Sequence, residues 1–297
     1  MRARYVIPAF AAAAVLLLTG CVDNSTPAAT TSPDAASTIE PDAAAVALLP
    51  KDIASAGVLI VGTDAAYPPN EFKDQSGAPI GWGIELADGI AAKLGLTTKY
   101  QIASFDTIIP SITGGTVDIG ESSFTDNLER EKQVDFVNYY NAGILWAAPV
   151  GSTVDPDNAC GLTVAVQSGT VEYTDELPAK NDACLAAGKD KIEILPYGSQ
   201  DEATNAVILG KAAALSADSP VTLYAISKAG GKLQPAGKSF DTAPYGITVN
   251  KGSELTKAVQ AALQSMVDDG SYGKILDKWG VTDGGIDTIT INAASNG

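Results

Sequence analysis

The segment Thr125-Asp126-Asn127-Leu128-Glu129-Arg130 concentrates residue types able to do chemistry. Asp126 followed by Glu129 has capping-box spacing, with Asp in place of Ser or Thr, so a helix is predicted to start there. A helix start offers free N–H groups and the positive end of a dipole. Arg130 falls about one turn in, and its planar fork can hold a carboxylate through two hydrogen bonds. The plain alternative is a solvated arginine paired with a nearby Glu or Asp. Asp218 is the matching anion. It follows an apolar run at 213–216 and precedes Ser219-Pro220, a helix-start signature. At the end of a parallel strand an Asp faces the crevice where such folds bind ligands; the alternative is a simple N-cap. Ser168-Gly169-Thr170 sits between another predicted strand and helix, where backbone N–H groups can close on an anion. The chain has no histidine, which excludes imidazole metal sites and imidazole acid/base catalysis. No catalytic set, metal site or cofactor is expected.

These groups need elements to position them. From about residue 57 strand-like and helix-like segments alternate. Residues 58–62 are a short apolar run ending in glycine, a buried strand. Ile84, Leu86, Ala87, Ile90, Ala91 and Leu94 fall at helical spacing, with Gly95 as a stop. Strands are predicted at 97–102 and 117–120, with a short helix at 108–112 between them. The rhythm repeats: strands at 162–166, 192–195 and 213–216, helices at 171–187, 201–209 and 220–228. This is βαβ order, with parallel-type sheets covered by helices. Residues 144–150 and 245–249 read as extended strands crossing between two α/β lobes. The helical stretch 254–279 is expected to pack back on the first lobe. The expected lobes are 51–147 with 245–291, and 148–244; about 240 residues is normal for two such bodies.

The N-terminus reads as an address. Arg2 and Arg4 precede an apolar run at 9–18, followed by Leu18-Thr19-Gly20-Cys21. This is a secretory signal over 1–20, too short to be a membrane span, which needs ~20 apolar residues. Its L-T-G-C ending resembles a bacterial lipobox, in which the cysteine is acylated; the alternative is an ordinary signal with a chance cysteine. Residues 21–50, rich in Thr, Ala, Ser, Pro and Asp, are expected to be the lipidated Cys21 and a flexible tether. Of 19 basic side chains, Arg2 and Arg4 leave with the signal, so 17 face 35 acidic ones. That balance argues against nucleic acid or anionic lipid as partners. Cys160 and Cys184 remain, and an exported pair suggests a disulfide, the alternative being two buried thiols.

Three blocks carry a resemblance to a known family. They are VGTDAAYPPNEFKDQSGAPIGWGIELADGIAAKLG at 61–95, FDTIIPSITGGTVDIGESSFTDNLEREKQVDF at 105–136, and the pair VAVQSGTVEY at 164–173 with SADSP at 216–220. Their order and spacing resemble the polar-amino-acid-binding branch (family 3) of bacterial ABC-importer solute-binding proteins. The resemblance implies a type II periplasmic-binding-protein-like fold: two α/β lobes, two crossing hinge strands, and a ligand in the cleft between lobes. It implies a monomeric receptor on the outer face of the cytoplasmic membrane. Its partners would be a free, polar or cationic amino acid, an ABC permease with its ATPase, and the membrane through Cys21.

The resemblance also implies residue roles. Arg130 and Thr125 would take the ligand α-carboxylate, and Asp218 the α-ammonium, with the Ser123 backbone helping. Gly169, Thr170 and Val171 would close on the carboxylate by backbone, Val171 standing where many relatives have Thr or Gly. Asp64 would meet the ligand side chain between Tyr67 and Phe105, although Phe105 reads equally as core. Trp82 and Gln167 would line the pocket. Glu121 stands where relatives mostly have an apolar residue, and either meets a cationic side chain or faces solvent. Three rivals use similar chemistry: a cyclohexadienyl-acid dehydratase on the same scaffold, a sensor input domain, and a receptor for a compatible solute or opine. The first needs a general acid in the cleft, and the last would leave Asp218 unpaired.

Overall fold

The computed structural model describes residues 39–296. The signal, Cys21 and the tether up to residue 38 lie outside the described residues. The first elements are α1 (Ala43–Val46), α2 (Lys51–Ala56), β1 (Val58–Thr63), β2 (Ala66–Tyr67), β3 (Glu71–Lys73) and β4 (Pro79–Ile80). Then come α3 (Trp82–Lys93), β5 (Thr97–Ile102), α4 (Phe105–Thr113), β6 (Ile119–Gly120), α5 (Leu128–Glu131) and β7 (Val134–Pro149). The second lobe adds β8 (Thr163–Gln167), α6 (Leu177–Ala186), β9 (Glu193–Tyr197), α7 (Gln200–Ile208), β10 (Ala214–Asp218) and α8 (Ser219–Lys228). The chain closes with β11 (Leu233–Asn250), α9 (Leu255–Asp268), α10 (Ser271–Trp279), β12 (Gly285–Ile291) and α11 (Ala293–Asn296).

The apolar run of β1 is buried because parallel neighbours β5 and β6 flank it while helices cover its faces. Beside it, Leu86, Ile90 and Leu94 of α3 pack with Val259, Leu263 and Met266 of α9 in the first lobe's main core. The second lobe repeats the plan with β8 parallel to β9 and β10. Trp146, Val164, Val166 and Leu177 fill one face of its sheet, and Ala203, Val207 and Leu215 the other. Cys160 and Cys184 are joined by a disulfide on the first of these faces.

Two strands serve both halves. β7 and β11 pair antiparallel from Val134 with Asn250 to Pro149 with Leu233. One end of β11 pairs with β6 of the first lobe, while the far part of β7 pairs with β10 of the second. They are longer than the two crossing segments expected at 144–150 and 245–249. The register shifts near Phe240, Ala243 and Tyr245 lie where the ribbon passes between lobes, and such bulges bend and twist it.

The tether predicted over 21–50 ends earlier than expected. Asp42 Oδ1 accepts from the backbone N–H of Ala44 and Ala45 at 2.9 and 3.0 Å, capping α1. Its Oδ2 accepts from Ser265 Oγ at 2.9 Å, and its own N–H donates to the Lys93 carbonyl. Ala45 is fully buried in the first-lobe core, with Ile39 and Leu49 packed against it. The predicted 254–279 helix is two helices that break at Gly270. Beyond α10 the chain forms β12, which pairs antiparallel with β7.

Candidate functional site

Strand ends converge on one cleft. Asp64 and Tyr67 follow β1, Ser122 and Ser123 follow β6, Gln167 ends β8 and Asp218 ends β10. Each sits at the carboxyl end of a parallel strand, where open α/β sheets bind ligands. Phe105 opens α4, Arg130 lies in α5, and Thr170, Val171 and Glu172 follow β8. Together with Thr125 these residues line a cavity enclosing about 290 Å³ of atom-free space between the lobes.

Arg130 is held from both sides. Its Nη1 donates to the Thr125 carbonyl at 2.7 Å, and its Nη2 to the Gly169 carbonyl of the other lobe at 2.9 Å. The guanidinium lies 5.5 Å from the Phe105 ring centroid and 5.6 Å from that of Phe124, over two rings stacked 4.4 Å apart. Such a cation–π cradle fixes the fork while leaving other N–H donors to face the cavity. The helix cap is not the expected one. Asn127 Oδ1, not Asp126, accepts from the Arg130 backbone N–H at 2.9 Å. Asp126 is turned to β7, accepting from Asn138 Nδ2, and Glu129 pairs with Lys132 at the surface. Asn127 caps because its extended backbone and short side chain reach the third N–H of the helix.

Asp218 stands at the N-cap position of α8 but makes no side-chain cap bond. Its Oδ2 instead accepts from the Tyr67 hydroxyl at 2.7 Å, across the cleft. Asp64 Oδ2 accepts from Gln167 Nε2 at 2.6 Å, a second cross-cleft bond, and its backbone N–H donates to Ser122 Oγ. Burial pushes both carboxyls up to about 6, against their hydrogen bonds, which favour the charged form. Glu172, fully buried, is pushed up by burial and then by the charge of Asp218. Burial lowers the Arg130 guanidinium, opposed by Glu172 and Asp218, yet a guanidinium stays charged. Three acidic side chains and one guanidinium therefore line the cavity.

Of the residues expected here, Asp64, Tyr67, Phe105, Ser123, Thr125, Arg130, Gln167, Thr170, Val171 and Asp218 line the cavity. Gly169 stands beside it through its carbonyl bond to Arg130. Its φ of +82° is a left-handed conformation suited to glycine, and a Cβ would press on Asp106 at 3.1 Å. Trp82 does not line the cavity. It is fully buried against Tyr139 and Tyr140, and its Nε1 donates to Asn70 Oδ1 at 2.7 Å. Asn70 Nδ2 in turn donates to Ser123 Oγ, which donates to Glu71 Oε1, so Trp82 acts on the site only through this chain. Phe105 is both lining and core.

Glu121 neither meets a cation nor faces solvent. It is fully buried, accepts from Tyr139 Oη at 2.9 Å, and lies against Glu71. A Cβ at position 83 would overlap Oε1 of both glutamates, so Gly83 makes room for the pair. Burial pushes Glu121 up to about 8 and Glu71 well above the usual range, the latter also through the Glu121 charge. The sequence reading passed over Ser122 as a ligand group and missed Glu172. The one available signal for Glu172 was its i,i+4 spacing to Glu176, two acids on one helix face.

A two-lobed α/β body joined by two long strands, with a charged cleft between lobes, defines a solute-binding receptor of the type II fold. The chain matches the bacterial extracellular solute-binding proteins, family 3, over residues 59–282, and it belongs to that family. It is similar to the arginine-binding protein ArgT of Corynebacterium glutamicum, 40% identical over 279 residues that cover 93% of this chain and 91% of that protein. It is 30% identical to the L-arginine-binding protein of Pseudomonas aeruginosa, covering 74% and 86% of the two chains. An ancestral arginine-binding protein bound to arginine superposes with a TM-score of 0.69 at 32% identity, covering 75% of this chain and 98% of that one. The chain is thus the amino-acid-binding component of an ABC importer and not an enzyme. The chain also superposes on an ancestral amino acid-binding protein, a precursor of cyclohexadienyl dehydratase, with a TM-score of 0.67 at 32% identity, covering 77% of this chain and 97% of that one. No helix among the described residues is long and apolar enough to cross a membrane.

Proposed function

We propose that this protein binds L-arginine, or a closely related cationic amino acid, by closing its two lobes around the ligand. The charge of the cavity carries this reading: Asp64, Glu172 and Asp218 against Arg130 alone. A neutral zwitterion brings only one cation to three buried acids, and each further acid that ionises in this desolvated cleft lacks a partner, at a cost in free energy. A ligand with one extra cation offsets it. Arg130, with Thr125 and the backbone of residues 169–171, takes the α-carboxylate. Asp218, with the Ser123 backbone, takes the α-ammonium. Asp64 meets the side-chain cation, with Gln167 beside it and Tyr67 and Phe105 covering the aliphatic stem. The ligand touches both lobes only when they are closed, so binding shifts the population to that state. The names of the arginine-binding relatives favour the same ligand.

The residue boundaries of the lobes, 51–147 with 245–291 and 148–244, belong to this reading, with β7 and β11 as the hinge. So do the lipid on Cys21 as the anchor to the outer face of the membrane, and a permease with its ATPase as partners. Such a lipid keeps a receptor near its permease. A thermal-shift screen of the twenty amino acids with ornithine tests the ligand: arginine is expected to stabilise most, with neutral and acidic amino acids weak. Stabilisation by an acidic amino acid alone, or by none, overturns the reading.

A further inference from the structure

Two glutamates lie buried on the short helical turn that follows β8, and they are treated very differently. Glu176 is satisfied at both oxygens: Oε1 accepts from Trp146 Nε1 at 2.9 Å and Oε2 from Ser216 Oγ at 2.7 Å. It holds the second lobe together. Glu172 is fully buried; among the described residues its own backbone N–H and the Thr170 side chain approach its carboxyl, but neither oxygen receives a hydrogen bond of good geometry. The hydroxyl of nearby Thr170 donates to the Gln167 carbonyl at 3.0 Å, so its proton is committed elsewhere. Glu172 lines the cavity. Burial favours the neutral form of this carboxyl, and a cation arriving in the cavity from outside the chain would favour the charged one and supply the partner that the described residues do not.

Its neighbours say which end of the ligand that cation is. The charges that act on Glu172 are those of Asp218 first and Glu176 after it, and Glu172 in turn acts on Arg130 and Tyr67. These groups surround the Arg130–Asp218 end of the cleft. Asp64 belongs to a different set, formed by Gln167, Phe105, Lys73 and Asp106. The backbone supports the placement. Residues 172–176 form a π-helical turn, with the Leu177 N–H donating to the Glu172 carbonyl. A π-turn rotates side chains relative to a regular helix and recurs at functional sites. Here the widened turn accompanies one acid aimed into the lobe and one into the cavity.

We propose that Glu172 is a ligand-binding residue, the second anion of the α-ammonium subsite beside Asp218. The inference rests on the amino-acid reading above and deepens it. With two carboxylates on one ammonium, the site selects for ligands that keep a primary α-amine and against N-acylated or deaminated acids. It also separates the roles along the ligand: Arg130 with the carboxylate, Asp218 and Glu172 with the ammonium, Asp64 with the side-chain cation.

The test is calorimetric binding to the parent, to Glu172→Gln and to Glu176→Gln, with three ligands. L-arginine carries both α-groups, agmatine keeps the ammonium without the carboxylate, and 5-guanidinopentanoic acid keeps the carboxylate without the ammonium. Glu172→Gln is expected to weaken arginine roughly thirtyfold or more, and agmatine by a similar factor. The deaminated acid should change by less than about threefold or bind better, because no ammonium is there to lose its partner. Glu176→Gln should lower the melting temperature and leave the ranking of ligands unchanged. Equal losses for arginine and the deaminated acid would mean that Glu172 works through Arg130, and the proposal fails. Unchanged arginine binding in a folded Glu172→Gln also sinks it, while the parent receptor stands. A parent that binds no amino acid at all overturns the receptor reading, and this inference with it.

Discussion

Asp64→Asn should make the protein more stable and a poorer arginine receptor at the same time. Asp64 is 7% exposed, and burial raises its carboxyl from 3.8 to about 6. An acid with a raised native pKa binds its proton more tightly folded than unfolded. Stability therefore falls as pH rises from about 3.8 through about 6, and levels off above. The full loss is about 3 kcal/mol, taking ~1.4 kcal/mol for each factor of ten. Asparagine has nothing to ionise, and its Oδ1 can still accept from Gln167 Nε2, which now bonds Asp64 at 2.6 Å. Without ligand, the variant should match the parent near pH 4 and lead it above pH 6.5. At roughly 2–4 °C per kcal/mol for a protein of this size, the lead is about 6–12 °C. Arginine should bind the variant roughly thirtyfold or more weakly at pH 7.5, because a desolvated guanidinium has lost its counter-ion. Arginine binding to the parent should weaken below pH 6, where protonation of Asp64 competes with the ligand. Melting curves from pH 4 to 8 and calorimetric titration with arginine read all three. A variant that melts below the parent at every pH, or binds arginine as the parent does, refutes the reasoning.

Arg130→Lys keeps the charge but loses the fork, the carbonyl bonds to Thr125 and Gly169, and the stack on Phe105; arginine affinity should fall roughly thirtyfold or more by calorimetry. Glu121→Gln keeps the bond from Tyr139 and removes a buried carboxyl held near 8. Its melting temperature should gain on the parent as pH rises from about 4.5 to about 8 and hold that lead beyond; a constant offset across that window contradicts the shared-burial account of Glu71 and Glu121. Replacing Cys160 and Cys184 together by Ser opens a loop with a sequence separation of 24. Denaturant unfolding should show a loss of about 3 kcal/mol, with arginine affinity nearly unchanged because the bridge lies outside the cavity lining.

Much of the scaffold was legible because periodicity and burial coincide. β1 is a continuous apolar run since both its faces are covered, and α3 shows helical spacing since one narrow stripe, Glu85, Asp88 and Ala92, faces outward from an otherwise buried helix. The length of β7 was not legible. Its sixteen residues are buried almost throughout, so no alternation marks where the strand begins. The alanines of 43–45 read as tether because composition gauges how much apolar area a segment brings, not what it fits into. Ala45 is buried by being small enough to pack there, and Asp42 supplies the cap. Within the site, chemistry at strand ends was legible: Asp64, Arg130 and Asp218 reach one cavity from three separate blocks. Trp82 was misplaced because an aromatic near a binding motif is ambiguous between lining and core, and the hydrogen bond to Asn70 decides it. Glu172 was missed because an acid in a helix rich in acids reads as solvated surface, and only the fold reveals that it is buried.

The most direct measurement is a crystal structure of the protein with L-arginine bound. The ligand should lie between the lobes with its carboxylate on the Arg130 guanidinium and the N–H groups after Gly169. Its ammonium should reach Asp218, and its guanidinium should lie within hydrogen-bond distance of Asp64. Arginine bound outside this cleft, or bound in it with the guanidinium at Asp218 and the α-groups at Asp64, would contradict the account.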